Sequence, residues 1–327
     1  MSELLTSVVI PCYNAGKYLG QALESIRGQT QTVREIIVVD DGSEPAVTAP
    51  PDWQGPLLRV IRTPNRGPAE ARNTGIAAAS GELIAFLDAD DLWLPSKIAR
   101  QEAALARRPD AVACYCQCTR EEGFFSFGPY PAGDVTDDEF LLVLWYNNFF
   151  PPSSVLVRRE ALVQVGGFRA DLCPSEDIEL WLRLLRHGSF VTVPEALCRY
   201  RQHSGQSTKN VLRKMAASKR ARAVMIAEHA DRLARAGVPR DRLWDAYRSD
   251  VLGTYFRRDF AVARRLLWDY FRDHPGDTRI LAYCALSCLP ASLVIGLRGR
   301  TGPPEPGGAD PGAWSSTLLR IRHALGC

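Results

Sequence analysis

The 327-residue chain is 46% hydrophobic and 24% charged, values of a soluble globular protein rather than a disordered or fibrous one. Its net charge of +3 hides a split: roughly 19 basic and roughly 26 acidic residues precede Lys209, against roughly 19 basic and roughly 9 acidic from Lys209 to Arg300. No nucleic-acid-reading module accompanies the basic part, so nucleic acid is not expected as a partner, and an anionic membrane surface fits better. Nine scattered cysteines lack the paired spacing of a zinc site and point to a reducing cytosol. Leu4 to Ile10 is too short for a signal-peptide core, so none is expected.

In chain order, Ser7 to Pro11 reads as a buried strand ending at a proline, followed by the turn Cys12 to Gly16. Lys17 to Gly28 is helical, and Glu35 to Val39 is a second buried strand leading into Asp40 and Asp41. Tyr13 and the two acids come to neighbouring strand ends. A ring and a carboxylate there can hold a base, one stacking and one accepting an N–H, or be an ordinary turn aromatic and a strand-end residue. Leu57 to Ile61 reads as a third strand near an edge. Pro68 then starts a helix whose Arg72 and Asn73 are within reach of a nucleotide, unless Arg72 pairs with a near acid such as Glu70.

Leu83 to Leu87 is an apolar run running straight into Asp88, Asp90 and Asp91. Acids crowded at a buried strand end repel one another unless a cation sits there, so a divalent-ion site competes with a polar turn. A helix is expected over Ser96 to Arg107, with Ile98, Ala99, Ala103 and Leu105 inward. A strand follows over Ala111 to Cys118, with its alternating cysteines on one face. Gly123 to Pro131 reads as a loop, and Thr136 to Trp145 as a helix with a capping box. Pro151 to Ser154 is a polar turn before a strand. In the helix from Glu176, capped at Gly188, the apolar residues fall on one stripe. Glu176 and Asp177 then occupy the first turn, as dipole-favoured acids or as a general base at a cleft. Two short strands, Phe190 to Val193 and Leu197 to Arg201, precede His203, a surface histidine or one facing the acids.

From Lys209 the pattern is helical and basic: Val211 to Ala236, Arg240 to Phe256, Phe260 to His274 and Arg279 onward. Ile280 to Leu297 carries no charge but is broken by Pro290. An interfacial or re-entrant anchor is the preferred reading, beside a buried helix or a true span. A Pro/Gly linker and an amphipathic tail with Trp314, Arg320 and Arg322 close the chain. There is no Gly-rich phosphate loop, so a diphosphate would be held by metal rather than by a backbone cradle.

Five segments in one order, Ser7–Asn14, Ile37–Ser43, Asn65–Asn73, Phe86–Asp91 and Glu176–Asp177, closely resemble the inverting glycosyltransferases of family 2. The resemblance covers about residues 5 to 208 and implies a GT-A fold: a mixed, mostly parallel sheet flanked by helices, followed here by a C-terminal helical region. The expected division is a GT-A domain at 1–208, a basic helical region at 209–298, and a linker and tail at 299–327. The resemblance implies that Pro11, Tyr13, Asp41, Arg72 and Asp88 bind a nucleotide-diphospho-sugar, with uracil expected as the base. It implies that Asp90, with His203, holds Mg or Mn, and that Asp177, oriented by Glu176, takes the proton from an acceptor hydroxyl. Asp91 is expected to cap the following segment instead. The Gln-x-x-Arg-Trp motif and membrane-helix bundle of processive relatives are missing, so one or a few sugars would be added to a lipid-linked or glycan acceptor, chosen by loops such as Phe124 to Pro131 and Pro151 to Ser154. The place implied is the cytoplasmic face of the cell membrane. The competing readings are a sugar-1-phosphate nucleotidyltransferase, disfavoured by the N-terminus, and a non-catalytic nucleotide-sugar-binding protein on the same fold.

Overall fold

The structure is a computed structural model that describes residues 5–120, 137–146, 150–201, 203, 210–256 and 259–288. Strand β1 (Thr6–Cys12), helix α1 (Gly16–Arg27) and strand β2 (Glu35–Asp40) make the first parallel unit. Every residue of β2 is buried, as expected of a strand covered on both faces. Strand β3 (Leu57–Arg62) follows at the sheet edge, with an alternating, partly exposed pattern. Helix α2 (Pro68–Ala78) starts on its proline and leads to β4 (Leu83–Phe86), which is fully buried. The rest of the region comprises β5 (Leu92–Trp93), α3 (Lys97–Arg107), β6 (Ala111–Arg120), α4 (Asp137–Tyr146), β7 (Val155–Arg158), α5 (Arg159–Val165), α6 (Glu176–Leu184) and β8 (Ser189–Tyr200).

The eight strands form one sheet in the order β3-β2-β1-β4-β7-β6-β8-β5. β3, β2, β1 and β4 run parallel, β7 is antiparallel to both neighbours, β6 and β8 are parallel, and β5 is antiparallel at the far edge. Apolar clusters on the two faces make the core. One gathers Val9, Phe86, Trp145, Phe150 and Trp181 with the helices of one side; the other gathers Val8, Ile36, Leu83, Ile98 and the buried cysteines. Cys114, Cys116 and Cys118 do share one face and are free, small apolar side chains.

The C-terminal region is helical: α7 (Val211–Arg235), α8 (Asp245–Phe256), α9 (Phe260–Asp273) and α10 (Leu281–Ser287). α7 sends Ala221, Met225 and Leu233 into the core beneath the sheet. Its other side joins α8, α9 and α10 around a second core of Met215, Tyr247, Val251, Tyr255, Leu267 and Tyr270. Among the described residues no helix is long and apolar enough to cross a membrane. The stretch beyond Cys288, the tail around Trp314, the loop at 123–131 and Thr136 lie outside the described residues.

Several local expectations change. The two short strands expected at 190–201 are one strand, β8, whose register against β6 shifts at Pro194 and Glu195. Leu92–Trp93, a two-residue strand, gave no periodic signal; Trp93 is pinned there by its indole N–H donating to the Ser153 carbonyl (2.7 Å). α6 ends at Leu184, so Gly188 does not cap it. A Cβ at Gly188 would meet the Asp110 carbonyl at 2.5 Å, so the glycine serves close strand contact. On α3 the buried alanine is Ala104, not the exposed Ala103. The helix expected from Arg240 begins with a separate 3-10 turn, Arg240–Arg242.

Candidate functional site

The site lies where β1, β2 and β4 end, and short turns fix its parts. Tyr13 follows β1 directly and is 53% exposed, the ring open to solvent. The next residue, Asn14, takes a left-handed conformation (φ 51°), which asparagine tolerates. Its amide donates to Ser43 Oγ and its Oδ1 accepts the Glu44 amide, while the Asp41 amide donates to the Cys12 carbonyl. The turns after β1 and β2 are thereby stitched together, which brings the Tyr13 segment beside Asp41. Pro11 sits in β1 opposite Val39, partly buried.

Asp40 and Asp41 diverge. Asp40 is fully buried and accepts from the Ser43 and Val47 amides and from Arg62 (2.5 Å). Despite its burial, these hydrogen bonds hold its carboxyl below the usual range. It is a loop-building residue. Asp41 accepts the amides of Arg66 (2.9 Å) and Gly67 (2.7 Å) and the Thr63 hydroxyl (3.3 Å), just before α2. Those donors use three of the roughly four acceptor positions of a carboxylate and leave one.

Arg72 lies in α2, 4% exposed. Its Nη2 donates to Asp88 Oδ1 (2.7 Å) and its Nη1 to Glu176 Oε1 (2.9 Å), while the guanidinium lies 5.3 Å from the Phe168 ring centre. Burial works against its charge, but Asp88 and Glu176 outweigh that and hold its pKa above the ordinary arginine value. The alternative pairing with Glu70 is not what forms. Asn73, expected to reach a nucleotide, is committed elsewhere: its amide group donates to the Phe168 carbonyl and accepts the Phe168 amide, both at 2.8 Å.

The acids after β4 separate by role. Asp88 and Asp90 are half-buried. Burial first, then the charge of Asp88, pushes the Asp90 carboxyl up. His203 Nε2 lies 2.7 Å from Asp90 Oδ2, so the histidine faces the acids rather than open surface. Asp91 is 1% exposed; it accepts the Ser153 hydroxyl (2.5 Å) and the Arg201 amide (3.1 Å). It therefore ties the end of β4 to the end of β8, and the expected capping of the next segment is replaced by this cross-link. Burial, then Asp88 and Asp90, pushes its carboxyl well up. Among the described residues no group of three or more His, Cys, Asp or Glu side chains is arranged to hold a metal ion.

At the opposite wall α6 opens with Glu176 and Asp177. Glu176 is buried on Arg72, whereas Asp177 is half-buried and accepts the Ile178 amide (2.8 Å). Arg72 thus ties Asp88 to Glu176 and the start of α6.

Sequence reasoning missed three contributors. Ser153 is fully buried: its hydroxyl donates to Asp91 and accepts the Asp88 amide. The Pro151–Ser154 turn, expected to help choose an acceptor, also holds the acids after β4 through Ser153. Tyr18 packs on His203 (5.0 Å between ring centres), with Arg201 and Lys17 over its face at 4.8 and 4.6 Å. Lys97, fully buried, lies over Trp93 (4.1 Å) and donates to Gln101 (2.6 Å); burial pulls its pKa down. Its position at a helix start resembles any surface lysine, so nothing in the sequence signalled it.

The parallel half-sheet with acids at its strand ends has the architecture of the GT-A fold. Solved structures agree. S. aureus TarS 1-349 in complex with UDP-GlcNAc superposes with a TM-score of 0.59 and 18% identity, covering 82% of this chain and 81% of that one. The mannosyltransferase PcManGT from Pyrobaculum calidifontis, in complex with GDP-Man and Mn2+, gives 0.53 and 19%, covering 92% and 89%. The family model of Glycosyl transferase family 2 matches residues 7–166, just under half of the chain. An uncharacterised glycosyltransferase of Haemophilus influenzae is 27% identical over 190 residues, 57% of this chain and 64% of its own length. Glycosyltransferase GlyG of Streptococcus pneumoniae is 46% identical over 96 residues, 28% of this chain and 32% of its own. The alignments therefore span less than two thirds of these relatives' length.

Proposed function

We propose that this chain is an inverting glycosyltransferase that moves a sugar from a nucleotide-diphospho-sugar, a UDP-sugar above all, to a hydroxyl of a lipid-linked or glycan acceptor. The observation that carries the reading is the Arg72 bridge. It joins Asp88, the acid we assign to the donor, to Glu176 beside Asp177, the acid we assign to the acceptor, which supports a reading in which both sides act on one reaction. Every residue proposed for the site lies within 1–208, which we take as the catalytic domain. The basic helical region, 209–298, would serve acceptor and membrane, and 299–327 a linker and tail.

Tyr13 stacks on the base, and the remaining acceptor position of Asp41 takes its imide N–H, beside Pro11. Asp88, steadied by Arg72, receives the ribose. Asp90 and His203 would hold Mg or Mn. Two protein ligands suit a hard ion that completes its shell with water and substrate phosphates, and mutual repulsion with Asp88 gives Asp90 reason to take one. Such an ion, when bound, offsets the charge of the departing diphosphate. Asp177 accepts the proton of the attacking hydroxyl, and Glu176, fixed by Arg72, sets the first turn that carries it. Inversion follows from a single in-line attack on the face opposite the leaving group. The protein would work at the cytoplasmic face of the membrane, attached peripherally.

The test is a thermal-shift screen of nucleotide-sugars with Mn, then transfer assays with D177N. A bound donor raises the melting temperature, and D177N retains that shift while losing transfer by at least about 100-fold. Full transfer by D177N would remove the base assignment. Pyrophosphate release from a nucleoside triphosphate would favour a nucleotidyltransferase, and donor binding with neither transfer nor slow hydrolysis a binding protein.

A further inference from the structure

α9 buries Ala263, Leu266, Leu267 and Tyr270 against the second core. Its start is fixed by Asp259, whose side chain accepts the Val262 amide (3.3 Å). The opposite face is left to solvent. Ala261, Arg264, Arg265, Trp268 and Arg272 are all exposed, and at 3.6 residues per turn they fall within an arc of about 100°. Trp268 is 42% exposed, its ring edge-on to Phe271 at 6.1 Å. Arg272 pairs with Asp269 at 3.3 Å, but Arg264 and Arg265 have no acidic partner among the described residues.

α10 packs against α9 and is also unusual on its outside. Its exposed positions Leu281, Ala282 and Ala285, with Cys288 just beyond, carry no charge, and Leu281 is 40% exposed. Arginines without partners, an indole among them and an uncharged helix alongside match the layers of a bilayer interface. Guanidinium groups meet lipid phosphates, the indole sits at headgroup depth, and the uncharged face meets the acyl boundary. A nucleic-acid surface would ask for several stacking aromatics along a basic groove, and this face has one.

We propose that the exposed face of α9, centred on Arg264, Arg265 and Trp268, docks the protein on an anionic phospholipid bilayer. This deepens the peripheral-membrane part of the function proposed above and rests on it, but lipid binding itself does not require sugar transfer. The surface would hold the cleft against the membrane in which a lipid-linked acceptor resides.

The experiment is co-sedimentation of the full-length protein with phosphatidylcholine vesicles and with vesicles that also contain phosphatidylglycerol. The wild type partitions to the anionic vesicles and is released by added salt. R264A/R265A lowers that partitioning by roughly 25-fold, about fivefold for each arginine, and W268A lowers it as well. Melting temperature and transfer to a water-soluble acceptor stay at wild-type values in the arginine variant. Should W268A melt early, the arginine pair decides alone. The proposal is overturned if the wild type ignores anionic vesicles or if R264A/R265A binds them equally well. It is overturned too if the arginine variant loses binding to an RNA oligonucleotide while keeping vesicle binding. Vesicle binding without any donor turnover would leave the surface standing and remove the sugar-transfer reading; turnover without vesicle binding would do the reverse.

Discussion

Arg72 donates to Glu176, 104 positions further along the chain, at 2.9 Å, and both side chains are buried. Its other arm holds Asp88, so one guanidinium bridges the end of β4 and the start of α6. Removing it leaves two carboxylates close together with no cation between them. Breaking a buried pair this way costs about 3–5 kcal/mol. R72A is therefore expected to lower unfolding stability by that order, read by urea denaturation, and to lose transfer. R72K keeps the charge but not the fork, and falls between the two. Unchanged stability in R72A would mean that the bridge contributes little.

Tyr13 makes the opposite prediction, because its ring is exposed and holds nothing together. Stacking of a base on an aromatic contributes about 1–3 kcal/mol. Y13A should weaken donor binding by roughly 5- to 150-fold with no change in melting temperature, and Y13F should match the wild type. Isothermal titration with the nucleoside diphosphate alone measures this; equal affinity in Y13A would place the base elsewhere.

The proposed cation gives a paired test. EDTA should abolish transfer by the wild type, and added Mn should restore it. D90A should lose the Mn-dependent part of the donor-induced thermal shift, and H203A should lose part of it, since His203 touches Asp90 at 2.7 Å. Wild-type transfer that is indifferent to EDTA would remove the metal from the reaction.

His229 predicts a pH effect on stability, away from the cleft. It is 3% exposed, its Nε2 lacks a hydrogen-bond partner, and burial, then the charge of Arg186, pulls its pKa down to about 4. A histidine in the unfolded chain titrates near 6.5. Between those values the unfolded state binds the extra proton, so stability falls as pH drops from about 6.5 toward about 4, by up to about 3 kcal/mol. H229L should flatten that part of the stability–pH curve. An unchanged slope would show that other groups set it.

Most of the fold was legible in the sequence. The runs Ser7 to Pro11, Glu35 to Val39 and Leu83 to Leu87 became β1, β2 and β4 because strands covered on both faces must be continuously apolar. The helices α1, α2, α6, α7 and α9 followed from apolar spacing, helped by the closing Gly28 of α1 and the opening Pro68 of α2. β5 and the continuity of β8 were not legible. Two residues are too few for a period, and the bulge at Pro194 and Glu195 breaks the alternation that marks one strand.

By itself the sequence determined the ordered set of one aromatic and several acids: Tyr13, Asp41, Asp88 and Asp90 at strand ends and Asp177 in the first turn of a helix. Residue type and position beside a buried strand are local properties, and they were enough to indicate the family. Only the tertiary structure decided how those acids are shared out. Asp91 goes to Ser153 and the end of β8, Asp40 to its own loop and Arg62, and Glu176 to Arg72. Each of these partners, Asp40's own loop apart, lies more than 20 residues away in the chain. Which carboxylate is neutralised by a hydrogen bond and which is left to meet a ligand depends on distances of about 3 Å, and those are set by packing across the sheet rather than by any pattern along the chain.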